Sequence, residues 1–261
     1  MPAWRTLIPL TSFGTILFFP QPVLAEEPAA AITFGTLVEE VVDLERLTRW
    51  PKPGFRLINL SSFDRSSDLP AGPGWFNNSD FSGNTGFDKV PQEPGPDGIG
   101  TYLLCDLEGP GTIARSFTVG IFGTWRVWLD DQPEPIFEGR PALFIQVPYV
   151  PFLERLRVKD PKKYELYHKL GGYFPIPFAK DCRMEWTGHL PECHVYQFGI
   201  RLYEPGTNVV TFHPQDLLTY EATVQGVLEI LEDPARRLPT PPERNEHPVD
   251  LRVDPRQWSE S

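Results

Sequence analysis

Basic residues are scarce in this 261-residue sequence: 24 Lys and Arg stand against 35 Asp and Glu, a formal charge of −11. That balance excludes the basic stripes with which proteins track nucleic-acid phosphates. A solvated acidic exterior is its plain meaning. Cysteine is scarcer still, at three, too few for a disulfide framework. Cys182 and Cys193 flank what reads as one hairpin turning at His189-Leu190-Pro191-Glu192, which would set Cys193 opposite about Trp186 or Thr187. Cys182 then lies several residues further along its strand, at ~3.3 Å per residue, beyond the ~7 Å between Cα atoms that a bridge tolerates. Cys105 with Cys182 stays open, but three reduced, mostly buried thiols are the expectation. The five histidines (168, 189, 194, 213 and 247) show no spacing that suggests a nucleophile triad, and the sequence has no Gly-x-Ser-x-Gly elbow and no phosphate loop. It has no internal repeat, and no apolar run after Phe19 is long enough to span a bilayer.

The first 25 residues read as a leader rather than as fold. Arg5 precedes an apolar stretch from Leu7 to Phe19, and Val23-Leu24-Ala25 supplies small or apolar residues at the −3 and −1 positions of a cleavage site. The expected mature chain begins at Glu26 and is secreted or periplasmic.

What the sequence has in abundance is proline (30), glycine (21) and aromatics (18 Phe, 8 Tyr, 7 Trp). Proline at that density is incompatible with a helical bundle, whereas aromatics suit a β-rich core or a sugar-binding face. Thr101 to Leu107, Thr112 to Val119 and Thr124 to Leu129 are β-branched and aromatic runs separated by glycine-rich turns. Ala142 to Val150, Cys182 to Thr187, His194 to Tyr203 and Asn208 to Phe212 extend the set. Gly172 to Phe178, with two prolines, reads as an extended wall of the core kept off the central ladder. Thr36 to Leu47 carries a helical stripe at Leu37, Val41, Leu44 and Leu47, with Thr36 as its cap and Glu39 as the capping-box partner. Residues 54–99 read as one long irregular segment, residues 151–170 as a charged excursion, and Leu217 to Leu231 as a helix packed on the body. The expected architecture is all-β with flanking helices, a jelly-roll sandwich spanning residues 26–231, followed by a proline-rich charged tail or linker at 232–261.

Four strings sharpen this: Ser-Ser-Phe-Asp-Arg at 61–65, C-D-L-E-G-P-G-T-I-A-R from Cys105 to Arg115, G-G-Y-F-P-I-P-F-A-K from Gly171 to Lys180, and V-Y-Q-F-G-I-R-L-Y from Val195 to Tyr203. In that order, across roughly Leu37 to Leu231, the chain resembles the first half of glycoside hydrolase family 172, formerly domain of unknown function 2961. The resemblance implies a β-jelly roll, action on fructofuranosides and arabinofuranosides, and oligomers whose subunits each hold two jelly rolls. It places the family's catalytic glutamates in the second half, within Glu-Gly-Asp and Gly-Thr-Glu-Asp-Tyr, strings that these 261 residues do not contain. Implied partners are a furanoside-class carbohydrate and either further copies of the chain or a second polypeptide supplying the missing half. The chain departs from the family where a Gly-Gly-Asn-like stretch is usual, having Ser66-Ser67-Asp68-Leu69-Pro70.

Glycoside cleavage usually needs two carboxyls, ~5–5.5 Å apart for retention or ~6.5–9.5 Å for inversion. Asp106 and Glu108 alternate at a strand end and would project from one face roughly 6.6 Å apart. The plainer reading has them flank the Gly109-Pro110-Gly111 turn, accept its N–H groups and pair with Arg115. Better candidates for sugar contacts are Ser62, Asp64 and Arg65, which offer bidentate donors and acceptors, together with Trp75, Phe76 and Asp80 in an aromatic-plus-amide stretch. Their structural alternative is a loop in which Asp64 and Arg65 pair with each other and Trp75 fills the sandwich mouth. No metal and no cofactor is expected: Asn78-x-Asp80-x-Ser82-Gly83 opens like a calcium loop but reaches Lys89 where a bidentate Glu belongs. His189, Cys193 and His194 lack a second ligand pair for zinc.

Overall fold

A computed structural model of the chain describes residues 30–64, 89–168 and 170–234. Among the described residues, eleven strands form two antiparallel sheets. In the first, β1 (Phe55–Ser61), β11 (Tyr196–Tyr203) and β4 (Gly111–Thr118) lie side by side, and β4 continues to β8 (Gly171–Gly172) and β7 (Tyr167–His168) and also pairs with β9 (Ile176–Phe178). The second has the order β2 (Lys89–Gln92), β3 (Ile99–Glu108), β10 (Asp181–His189), β5 (Thr124–Leu129) and β6 (Phe137–Gly139). The all-β sandwich expected from the turn spacing is the fold.

Period-two patterning explains the inward faces. In β5 the buried Trp125, Val127 and Leu129 alternate with half-exposed Thr124, Arg126 and Trp128. Trp125 meets Phe198 of the opposite sheet with ring centroids 5.5 Å apart, and Tyr102 stacks on its neighbour Trp186 at 5.4 Å. Opposite Met184 and Glu185, β3 carries one extra residue, Leu104, as a bulge. A one-residue slip exchanges the faces of a strand. Past Leu104, therefore, Cys105 is buried while Asp106 and Glu108 point outward.

Several boundaries differ from the sequence expectation, each for a physical reason. The segment 54–99 is not wholly irregular, since it contains β1 and β2. Asn208 to Phe212 forms no strand and contributes only a parallel bridge between Val209 and Ile32. Ala142 to Val150 is apolar because two short helices, α2 (Pro141–Ile145) and α3 (Tyr149–Arg155), bury Phe144, Ile145, Tyr149 and Phe152. The first helix, α1, covers only Phe34–Glu40; Thr33 caps it, and Thr36 completes a reciprocal capping box in place of the Thr36–Glu39 pair. The chain then turns through Val42 and Asp43 into a 3-10 turn at Glu45–Thr48, so the helical stripe breaks and Leu44 and Leu47 emerge into solvent. Leu217 to Leu231 divides into α4 (Asp216–Thr219) and α5 (Glu221–Glu232).

The hairpin expected between β10 and β11 does not exist. These strands belong to different sheets, and the 3-10 turn Leu190–Glu192 carries the chain from one to the other. Cys193 bridges Ile121 rather than facing Trp186. All three cysteines are free and buried, as expected, with the Cys105 thiol donating to the Cys182 carbonyl at 3.4 Å.

Candidate functional site

The outer face of the second sheet carries a row of charges. Lys89 reaches Asp106 at 3.2 Å, Arg126 reaches Glu138 at 3.0 Å, and Arg183 pairs with Glu185 while lying 5.3 Å over the Trp128 ring. Asp106 therefore pairs with Lys89 of the neighbouring strand, not with Arg115. The sequence reading missed this because Lys89 lay in a segment read as irregular. Glu108, two residues on, faces Asp181 across the ladder. Among the described residues it has no ion-pair partner. The two carboxylates thus share a face but not an environment: one is neutralised, the other open.

Where β3 and β10 meet the end of β5, three acids converge. Asp130 and Asp131 both adopt left-handed backbone, φ 55° and 54°, a conformation that Asp tolerates better than most residues. The Asp130 carboxylate accepts the backbone N–H of Lys180 at 2.7 Å and of Asp181 at 3.3 Å, and the Thr211 hydroxyl donates to it as well. That carboxylate ties a corner of the sandwich together. Burial, with Asp131 and Asp130 adding to it, raises the Asp181 carboxyl above its ordinary range.

At the end of β1 the sequence candidates divide. Ser62 is 8% exposed and Asp64 7%. Ser62 extends the ladder: its N–H donates to the Tyr196 carbonyl and its hydroxyl accepts the Tyr196 N–H, both at 3.1 Å. Asp64 is likewise engaged rather than free. Arg65, Trp75, Phe76 and Asp80 lie outside the described residues, as do the leader, the calcium-like stretch from Asn78 to Ser82 and the tail from residue 235. Among the described residues no three His, Cys, Asp or Glu side chains are grouped as a metal site requires. Nor is any helix long and apolar enough to cross a membrane. Burial pushes the Cys193 thiol well up, and the Cys105 contact together with burial does the same for Cys182, so neither is a ready nucleophile.

A family model described as the GH172 first beta-sandwich domain matches residues 53–219. The chain belongs to that family. No curated protein matches it. The match spans β1 through α4, so the sandwich itself, and not the flanking α1 and α5, defines membership. Two residues that sequence reasoning passed over are Trp50 and Glu204. Neither is part of any element or motif in the sequence reading: Trp50 lies between the Thr36–Leu47 stripe and Pro51, and Glu204 directly follows β11. An aromatic between a broken helical stripe and two prolines was the available signal. Glu204, inside the GH172 match, and Trp50, just before it, both border a cleft beside Glu108.

Proposed function

We propose that the chain is an exported carbohydrate-active domain, the first sandwich of a furanoside-cleaving hydrolase, and that it is catalytically silent by itself. The acid/base glutamates come from a second sandwich, in a longer chain or in a second polypeptide. The observation that carries this reading is the match of residues 53–219 to the GH172 first beta-sandwich domain. The Lys89–Asp106 ion pair is consistent with it, because it occupies the carboxylate that shares a strand face with Glu108, whereas hydrolysis needs two carboxyls acting on one bond. Leu44, Leu47 and Leu57 stand in solvent, and exposed apolar side chains are what a polypeptide partner would cover. Either further copies of the chain or the second sandwich covers them.

The test is hydrolysis of 4-nitrophenyl α-arabinofuranoside and an aryl α-fructofuranoside by the purified chain. No turnover above background is expected. Turnover that survives purification and disappears in Glu108→Gln would overturn the reading in favour of a self-sufficient glycosidase. Export has its own check: the N-terminus of secreted or periplasmic material should be Glu26. A second reading, a stand-alone carbohydrate-binding module, is favoured by the open cleft at Trp50 and Glu108.

A further inference from the structure

The cleft beside Glu108 has a volume of about 770 Å³, within the ~300–1,000 Å³ typical of small-molecule sites. It straddles the sandwich. Phe55 and Arg56 at the start of β1 and Leu202 from β11 form one side, and Leu107 and Glu108 from β3 form the other. Phe55 is committed to the fold, with the Arg201 guanidinium 4.9 Å over its ring and Tyr203 edge-on at 6.1 Å. Trp50 is not: 86% of it is exposed, although it lines the cleft. Glu204 is held in place. Its backbone N–H donates to the Gly54 carbonyl at 3.2 Å, and its carboxylate lies where a Cβ on Gly54 would meet it at 2.6 Å. Among the described residues, Arg56, Glu108 and Glu204 make no side-chain ion pair.

We infer that this cleft is a binding site for an uncharged glycan, with Trp50 as the stacking platform and Arg56, Glu108 and Glu204 as the hydroxyl-reading groups. The inference rests on the carbohydrate-active reading above but assigns it to different residues. A sugar presents a C–H face to an aromatic ring, and its edge hydroxyls form charge-assisted bonds with free carboxylates and guanidinium. Two open carboxylates against one cation, in a chain of net charge −11, disfavour an anionic polysaccharide. A polypeptide partner fits less well, because interface cores are depleted of unpaired charge and this cleft has three such groups on its walls.

Affinity electrophoresis of the full chain in gels containing branched arabinan, levan or polygalacturonate tests this. Retardation by a neutral polymer and none by polygalacturonate is expected. Trp50→Ala should weaken retention at least about tenfold, the factor that 1.4 kcal/mol represents, and Glu204→Gln several-fold. Phe122→Ala, which removes an exposed aromatic elsewhere, should leave retention unchanged. Because Trp50 is so exposed, its loss should leave the thermal midpoint unaltered. Absence of retention on both neutral polymers would overturn the inference. So would undiminished retention in Trp50→Ala, and if Asp64→Asn then abolished retention, the carbohydrate reading would stand with its site at the other end of β1. A Trp50→Ala variant that loses an oligomeric state in sedimentation but keeps its retention would assign the cleft to polypeptide docking instead.

Discussion

The two ends of β1, separated by seven residues or roughly 20 Å of strand, differ in what their polar groups are doing. At the C-terminal end Ser62 and Asp64 are buried, and the Ser62 hydroxyl is spent on the Tyr196 backbone. At the N-terminal end Arg56 and Glu204 stand open beside an uncovered Trp50. The Ser-Ser-Phe-Asp-Arg string, one of the four that carry the family resemblance, therefore begins at the end where polar side chains hold the sandwich shut. The unpaired chemistry lies at the other end, where the Cys105–Arg115 string contributes Glu108 while Trp50, Arg56 and Glu204 fall outside the four strings. Polar residues that complete a ladder are locally patterned, whereas groups left for a ligand are defined by what fails to cover them.

The comparison breaks most severely if the shared frame is lost. Phe198 on β11 packs on Trp125 across the sandwich and sits opposite Leu60 of β1, so Phe198→Ala should cost about 3–5 kcal/mol. Chemical denaturation would read this, and both ends should loosen together. A sharper probe sets one end against the other. Asp64→Ala should cost about 1–3 kcal/mol by removing a buried, engaged carboxylate, while Glu204→Ala should stay within about 0.5 kcal/mol. Equal effects in the same denaturation assay would erase the distinction.

The smallest expected effect lies away from β1, at the acidic corner. The folded-state pKa of Asp181 is raised above its ordinary 3.8, first by burial and then by Asp131 and Asp130. The native state therefore binds that proton more tightly than the unfolded chain does. The contribution of Asp181 to stability falls as pH rises from 3.8 through the folded pKa, and the penalty is fully present at neutral pH. Asp181→Asn should raise Tm by about 1 °C at neutral pH, a small effect because water screens the partly exposed carboxyl. Below the ordinary pKa the variant and parent should coincide. Melting curves across that pH range check the crossover.

The sequence alone settled the properties that depend on local period. Alternation identified β4 and β5 almost to the residue, the turn spacing indicated a two-sheet class, and the scarcity of cysteine pointed to three free, buried thiols. It could not decide which sheet a strand enters, because β10 and β11 each present one apolar face, and that face is equally content in either sheet. Hence a hairpin was read where the chain in fact crosses the sandwich. The partner of Asp106 was hidden for the same reason: Lys89 lies 17 residues away, and only the pairing of β2 with β3 brings them together. Trp50 shows the limit most plainly. Its residue type was visible, but its exposure depends on α1 ending at Glu40 and on the cleft between β1 and β3 remaining open, and both are settled by non-local packing that no sequence period records.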